Sequence, residues 1–117
     1  MSIQYFEGIG RRKEASARVR VMSGSGKFIV NDKPAEEYFP RVGDMDAILR
    51  PFVATSQDRA TYDITVVVNG GGITGQTDSV VLGLARALVK MNPENTAALR
   101  KFGLLTRDPR IKERKKP

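Results

Sequence analysis

Between residues 62 and 91 the chain reads as a strand, a run of glycines and a helix in immediate succession, and this unit restricts the fold more than any other stretch. Ile64, Val66 and Val68 recur with period two and share one face, while Val67 is apolar on the other. A strand apolar on both faces belongs inside a sheet rather than at its edge, so residues 62–69 are expected to be central. Gly70-Gly71-Gly72 breaks the strand. Asp78 or Ser79 is then placed to cap a helix to about Met91, with Val81, Leu84, Leu88 and Met91 on its buried side and Arg86 and Lys90 leaving it.

The rest of the chain supplies partners for this unit. Residues 18–21 alternate as Arg-Val-Arg-Val, and Lys27-Phe28-Ile29-Val30 follow across Ser23-Gly24-Ser25-Gly26, which predicts a β-hairpin with one wetted face. Residues 3–9 offer a further strand with Ile3, Tyr5 and Ile9 on one side. Asn31-Asp32-Lys33-Pro34 is turn chemistry, and Pro34 suits the start of a short helical turn through Glu36, Glu37 and Tyr38. Asp44 can cap a helix to about Arg50, where Pro51 stops or kinks it. Residues 54–61 are polar and linker-like. Asn92-Pro93 ends the long helix, and residues 93–101 form another, closed by Gly103. Tyr5, Phe6, Phe28, Tyr38, Phe39 and Phe52 are assigned to the core, and Glu36, Glu37, Asp44 and Asp46 to helix ends and surface. The class is α+β (or α/β): a single domain with a small mixed sheet covered by helices on one face.

Charge divides the chain differently. Its last eighteen residues hold eight Lys or Arg against two acids, which accounts for +6 of a formal +7. A dense block of like charge stays extended until a polyanion compensates it, so a body at 1–103 and an extended basic arm at 104–117 are expected. A solvated tail or a nuclear-localisation signal is the plainer reading of such a run. There are no cysteines and no histidines, which removes disulfides, thiolate chemistry, the commonest general base and the commonest metal ligands. No catalytic residue, metal or cofactor is therefore expected. No apolar run approaches ~18 residues, so no membrane span is expected, and the N-terminus has no basic and apolar leader pattern, which sets the cytoplasm as the default.

Three constellations carry chemistry. Gly70-Gly71-Gly72-Ile73-Thr74-Gly75-Gln76-Thr77 has phosphate-loop spacing, except that Gln76 stands where the loop needs its lysine. A neutral amide cannot neutralise a β- or γ-phosphate, and no later strand ends in an acid for Mg²⁺, so a nucleotide hydrolase is disfavoured. Glycines before a helix start still expose backbone N–H groups to any phosphate, which makes Gly71, Gly72, Gln76 and Thr77 candidates for RNA contact; tight strand–helix packing is the competing account. The second constellation is Arg11-Arg12-Lys13, a basic triplet between two strand signals, extended by Arg18 and Arg20 on the wetted face. The third is the arm, with Lys101, Arg107, Arg110, Lys112, Arg114, Lys115 and Lys116 too dense for a packed face. A nucleic-acid or acidic-protein binding module outside any larger particle is the alternative to the reading that follows.

Taken in order, these segments resemble the family of bacterial small ribosomal subunit protein nine. Gly10-Arg11-Arg12-Lys13-Glu14-Ala15-Ser16-Ala17-Arg18-Val19 is similar to its N-terminal motif. Gly70-Gly71-Gly72 with Gly75, Gln76, Ser79, Gly83, Ala85, Arg86, Ala87 and Leu88 is similar to its signature segment, and Leu104 to Arg110 with Glu113 to Lys116 to the entry of its tail. The resemblance implies a four-stranded mixed sheet with helices on one face. It also implies a structural place in the head of the small subunit, with ribosomal RNA and neighbouring ribosomal proteins as partners. The family's tail reaches the decoding region and the peptidyl-site tRNA through a basic stretch that would lie beyond Pro117, so that contact transfers to no residue of this chain.

Overall fold

In the computed structural model, which describes residues 5–105, strand β5 (Tyr62–Gly70) is the middle of five. With β1 (Tyr5–Arg12), β2 (Ala15–Ser23), β3 (Phe28–Val30) and β4 (Lys33–Pro34), the sheet order is β1-β2-β5-β3-β4. β1, β2 and β5 pair antiparallel, β3 runs parallel to β5, and β4 folds back on β3. The sheet is mixed, as expected, with one strand more than four. The extra strand is the two-residue β4, reached through Asn31 and Asp32, both in the left-handed region (φ 49° and 68°). The Asn31 amide then continues the β3–β5 ladder: it donates to the Val68 carbonyl at 2.8 Å and accepts the Val68 N–H at 2.9 Å.

The expected hairpin between residues 18–21 and 27–30 does not form, because β5 lies between β2 and β3. Alternation and a Gly-rich break specify two strands and a turn but not their adjacency. With β2 on one edge and β3 on the other, both backbone edges of β5 are paired. The connecting loop crosses the start of β5, held by the Asp63 carboxylate, which accepts the N–H groups of Ser25 (2.9 Å) and Lys27 (3.0 Å). Gly24 is required here, since a Cβ on it would stand 2.1 Å from Asp63 Cγ. The Ser25 amide first, then that of Lys27, holds the Asp63 carboxyl below its ordinary value. A depressed carboxylate stabilises the fold above its unfolded value, about pH 4, and that stabilisation drains away as the pH falls through the folded value. Asp63→Asn should therefore lower the melting temperature at pH 7, and the gap from the parent should narrow steadily below about pH 4. A gap independent of pH would mean that the charge is not what holds the loop.

Helices α1 (Ala35–Tyr38), α2 (Asp44–Ala54), α3 (Ile73–Met91) and α4 (Asn95–Lys101) follow. α3 lies across β1 and β2, with α2 and α4 packed on it. Val19, Val21, Ile64, Val66 and Val68 meet Val80, Leu84 and Leu88 of α3, and Ile48, Phe52 and Leu99 close the core. Each such side chain contributes about 1.5–3 kcal/mol on burial. The opposite face of the sheet is open: Val67 is 57% exposed, so β5 is central through its inner face alone.

Four local expectations are corrected. α3 starts at Ile73, well before Asp78, because Gly75, Thr77 and Ser79 face inward on its first turns; buried Ser79 donates to the Gly75 carbonyl (2.8 Å) instead of capping. α2 continues through Pro51 to Ala54, since Pro51 and Phe52 are buried in the core and Thr55 N–H recovers the Pro51 carbonyl at 3.1 Å. Asp44 is not surface charge or the cap but the first residue of α2, buried and ion-paired with Arg41. Tyr5 leaves the core for the open face, where its ring lies 4.8 Å from the Arg20 guanidinium.

Candidate nucleic-acid interface

The basic triplet sits at the β1–β2 hairpin. Arg12 pairs with Ala15, so the connection is the two residues Lys13 and Glu14, both left-handed (φ 53° and 70°). That is the twist-matched geometry of a type I′ turn, here made without Gly or Asn. Alternation along β1 then separates the triplet. Arg11 joins Ile9 on the open face; Arg12 follows Gly8 and Gly10 to the helix side, where its Nε is 4.0 Å from Asp78. Lys13 stands at the tip with its Nζ 3.5 Å from the same carboxylate.

The glycine segment packs directly beneath this tip. A Cβ on Gly70 would lie 2.5 Å from the Glu14 carbonyl oxygen, and one on Gly71 2.7 Å from that of Lys13. A Cβ on Gly75 would stand 3.1 Å from both the Arg12 carbonyl and Lys13 Cβ. The first two constellations, about sixty residues apart in sequence, are therefore one surface. α3 begins there with Gly72 as an N-cap that offers no side chain. Gln76 N–H closes the first helical bond on the Gly72 carbonyl (2.9 Å), which leaves the amides of Ile73, Thr74 and Gly75 without intrahelical acceptors. Lys13 and Arg41 flank this positive helix end, and Arg41 Nη1 donates to Thr74 Oγ1 at 3.2 Å. Asp44 grips Arg41 with both carboxylate oxygens at 3.0 Å, and that bond raises the guanidinium further above its ordinary value. Arg41 was not apparent from sequence; a lone arginine three residues before an acid is its only signal.

Gln76 and Thr77 turn inward. Gln76 Nε2 donates to the Gly70 carbonyl (3.1 Å), and its Oε1 accepts from Tyr38, whose hydroxyl accepts from Asn31. Buried Thr77 donates to the Ile73 carbonyl at 3.0 Å. The glutamine where a phosphate loop needs lysine is thus a tie between β5, α1 and α3. With the helix already running from Ile73, no loop remains to cradle a triphosphate. Gln76→Lys restores the loop spacing, yet it should cost about 1 kcal/mol, because a lysine cannot accept from Tyr38. Adding Mg-ATP should leave its melting temperature unchanged. A nucleotide-dependent rise would reopen the hydrolase reading.

The remaining candidates fall in two places. Arg18 and Arg20 lie on the open sheet face, where Glu7 bonds Arg20 at 2.9 Å and approaches Arg18 at 3.9 Å; the Glu7 bond raises Arg20. Lys101 is exposed in the last turn of α4, favourably placed at a negative helix end. Beyond it the chain turns at Gly103 (φ 71°), and Leu104 and Leu105 still pack against the core, two residues past the expected body boundary. Leu104 shares a hollow of about 270 Å³ with Arg12, Arg50, Asp78 and Val81. At Leu104 the chain therefore lies beside the basic hairpin. Arg107, Arg110, Lys112, Arg114, Lys115 and Lys116 lie outside the described residues.

The same segments match known proteins. The family model described as ribosomal protein S9/S16 matches residues 10–117. A small ribosomal subunit protein uS9 of Mycoplasmoides gallisepticum is 48% identical over 116 residues, covering 99% of this chain and 88% of the relative. The uS9 of a Picosynechococcus species is 50% identical over 109 residues, covering 93% and 80%. That of Solidesulfovibrio magneticus is 49% identical over 116 residues, covering 99% and 88%. With the hairpin turn, the glycine segment and the long helix all inside residues 10–117, the chain belongs to the ribosomal protein S9/S16 family.

Proposed function

We propose that this chain is a structural, non-catalytic constituent of the small ribosomal subunit, taking part in translation within the cytoplasmic ribosome. It binds ribosomal RNA and lies against neighbouring ribosomal proteins. The observation that carries the reading is convergence. The Arg12–Lys13 tip, the amides that open α3, and the point where the chain enters its basic terminal segment all lie at one end of the body. Fixed cations and backbone donors grouped in this way suit the phosphates of a folded RNA, which position a protein without reading sequence. Shape is then the source of specificity. Contacts by Arg107, Arg110, Lys112, Arg114, Lys115 and Lys116, with the arm directed toward the decoding region, are the finer part of the same reading. Contact with the peptidyl-site tRNA is its furthest extension and is assigned to no residue of this sequence.

The test is sedimentation. At physiological salt nearly all of the tagged chain should travel with small subunits and leave them only in high salt. A chain recovered mainly in the free-protein fraction would refute the reading.

A further inference from the structure

The open sheet face holds a second, differently built place. In the register of β1, β2 and β5, Ile9, Arg18 and Val67 form one row across the strands, and Arg11, Ser16 and Asn69 form the next. Small Ser16 between larger neighbours leaves a hollow of about 160 Å³, lined by Ile9, Arg11, Ser16, Arg18, Val67 and Asn69. This is well under the ~300 Å³ at which small-molecule pockets begin. Ile9 (41% exposed) and Val67 (57%) give it apolar flanks on either side of Arg18. Its rim is cationic. Arg11 has no acid partner among the described residues, and Glu7, the acid nearest Arg18 at 3.9 Å, is bonded more closely to Arg20. Asp63, farther along β5, is committed to the loop amides. Ser16 Oγ donates to Asn69 Oδ1 at 3.3 Å, which orients the Asn69 amide and leaves its NH₂ donors without an acceptor among the described residues.

We infer that this hollow takes the base of one unpaired nucleotide of RNA, with apolar contact from Ile9 and Val67, the phosphate outside it at Arg18, and the acceptor edge of the base at Arg11 and Asn69. The inference rests on the ribosomal RNA reading above and adds a site to it. A neutral protein surface would satisfy Ile9 and Val67 but strip water from two guanidinium groups without compensation. A nucleotide supplies an apolar face, an anion and hydrogen-bond acceptors together, and unpaired RNA bases are the ones splayed out for such contacts. Because donors dominate the rim, bases with carbonyl acceptors, uracil or guanine, fit it best.

The experiment is base-reactivity probing of ribosomal RNA in small subunits reconstituted with the parent chain, Val67→Asp or Asn69→Ala. Both side chains are exposed, so both variants should keep the parent melting temperature and still co-sediment. One unpaired uridine or guanosine, protected by the parent, should become about tenfold more reactive with either variant, as losing a hydrogen bond buried in the complex or an apolar flank predicts. Other protections should persist. Unchanged reactivity at every nucleotide with Asn69→Ala would overturn the site while leaving the ribosomal reading intact. So would loss of a cross-link to a neighbouring protein in place of a nucleotide. If the parent chain itself protects nothing and does not co-sediment, the broader reading fails and takes this one with it.

Discussion

Gly10→Ala should cost about 3 kcal/mol or more and lower the melting temperature by roughly 10–15 °C, a very large effect for a single methyl group and one that Gly8→Ala should match. A Cβ at position 10 would lie 2.1 Å from the Ser79 carbonyl oxygen and 2.6 Å from the Gly83 nitrogen. One at position 8 would lie 2.0 Å from the Gly83 oxygen and 2.5 Å from Ala87 N. All four are backbone atoms of α3, so no rotamer change makes room. Either β1 or the helix must move, and the helix carries Val80, Leu84 and Leu88 into the core. Total stability of such domains is about 5–15 kcal/mol, so Gly8→Ala with Gly10→Ala should abolish the cooperative thermal transition. Gly72→Ala is the control: its φ is −98°, no atom lies within 4 Å of the added carbon, and only the poorer N-cap should tell, at about 1 kcal/mol or less. If Gly10→Ala melts like Gly72→Ala, β1 and α3 are not in backbone contact.

These glycines also explain what was legible in the sequence. Period-two runs of valine and isoleucine announced β2 and β5 because their buried faces carry side chains. β1 buries Gly8 and Gly10 instead, so its visible alternation, through Tyr5 and Ile9, belongs to the open face. Hydrophobic periodicity loses its signal where the buried residue has no side chain. The start of α3 was hidden for a related reason, since Gly72 caps it with backbone alone and Gly75 looks like a loop residue until the hairpin is packed on it. Strand adjacency was not legible either. It rests on Asp63 holding a loop about thirty-six residues away in sequence, which local pattern cannot encode. At the interface, the residue types at Arg11–Lys13 and at the glycine gate were readable, but their contact was not. Gln76 and Thr77 matched a phosphate motif by spacing while their side chains serve internal bonds.

Affinity for small-subunit ribosomal RNA should fall with salt at a log–log slope near −4 to −7, as expected if about six to eight phosphates are neutralised. Between about 50 and 200 mM salt that is a loss of roughly 10²- to 10⁴-fold. Arg11→Ala, Arg12→Ala and Lys13→Ala together should flatten the slope by about two, one unit for each of the phosphate contacts of Arg12 and Lys13. The ion pairs of Arg12 and Lys13 with Asp78 do not argue against this. They are 4.0 and 3.5 Å long and a third or more exposed, so they contribute little and open readily to a phosphate. For the same reason the triple variant should melt within about 1 kcal/mol of the parent. Arg107→Ala with Arg110→Ala should lower the slope by about two with no change in melting, because both belong to a stretch too densely cationic for a packed face. A hairpin variant that loses affinity equally at every salt concentration would show that the tip acts through shape, not charge. A parent slope near zero would remove phosphate contact from the account altogether.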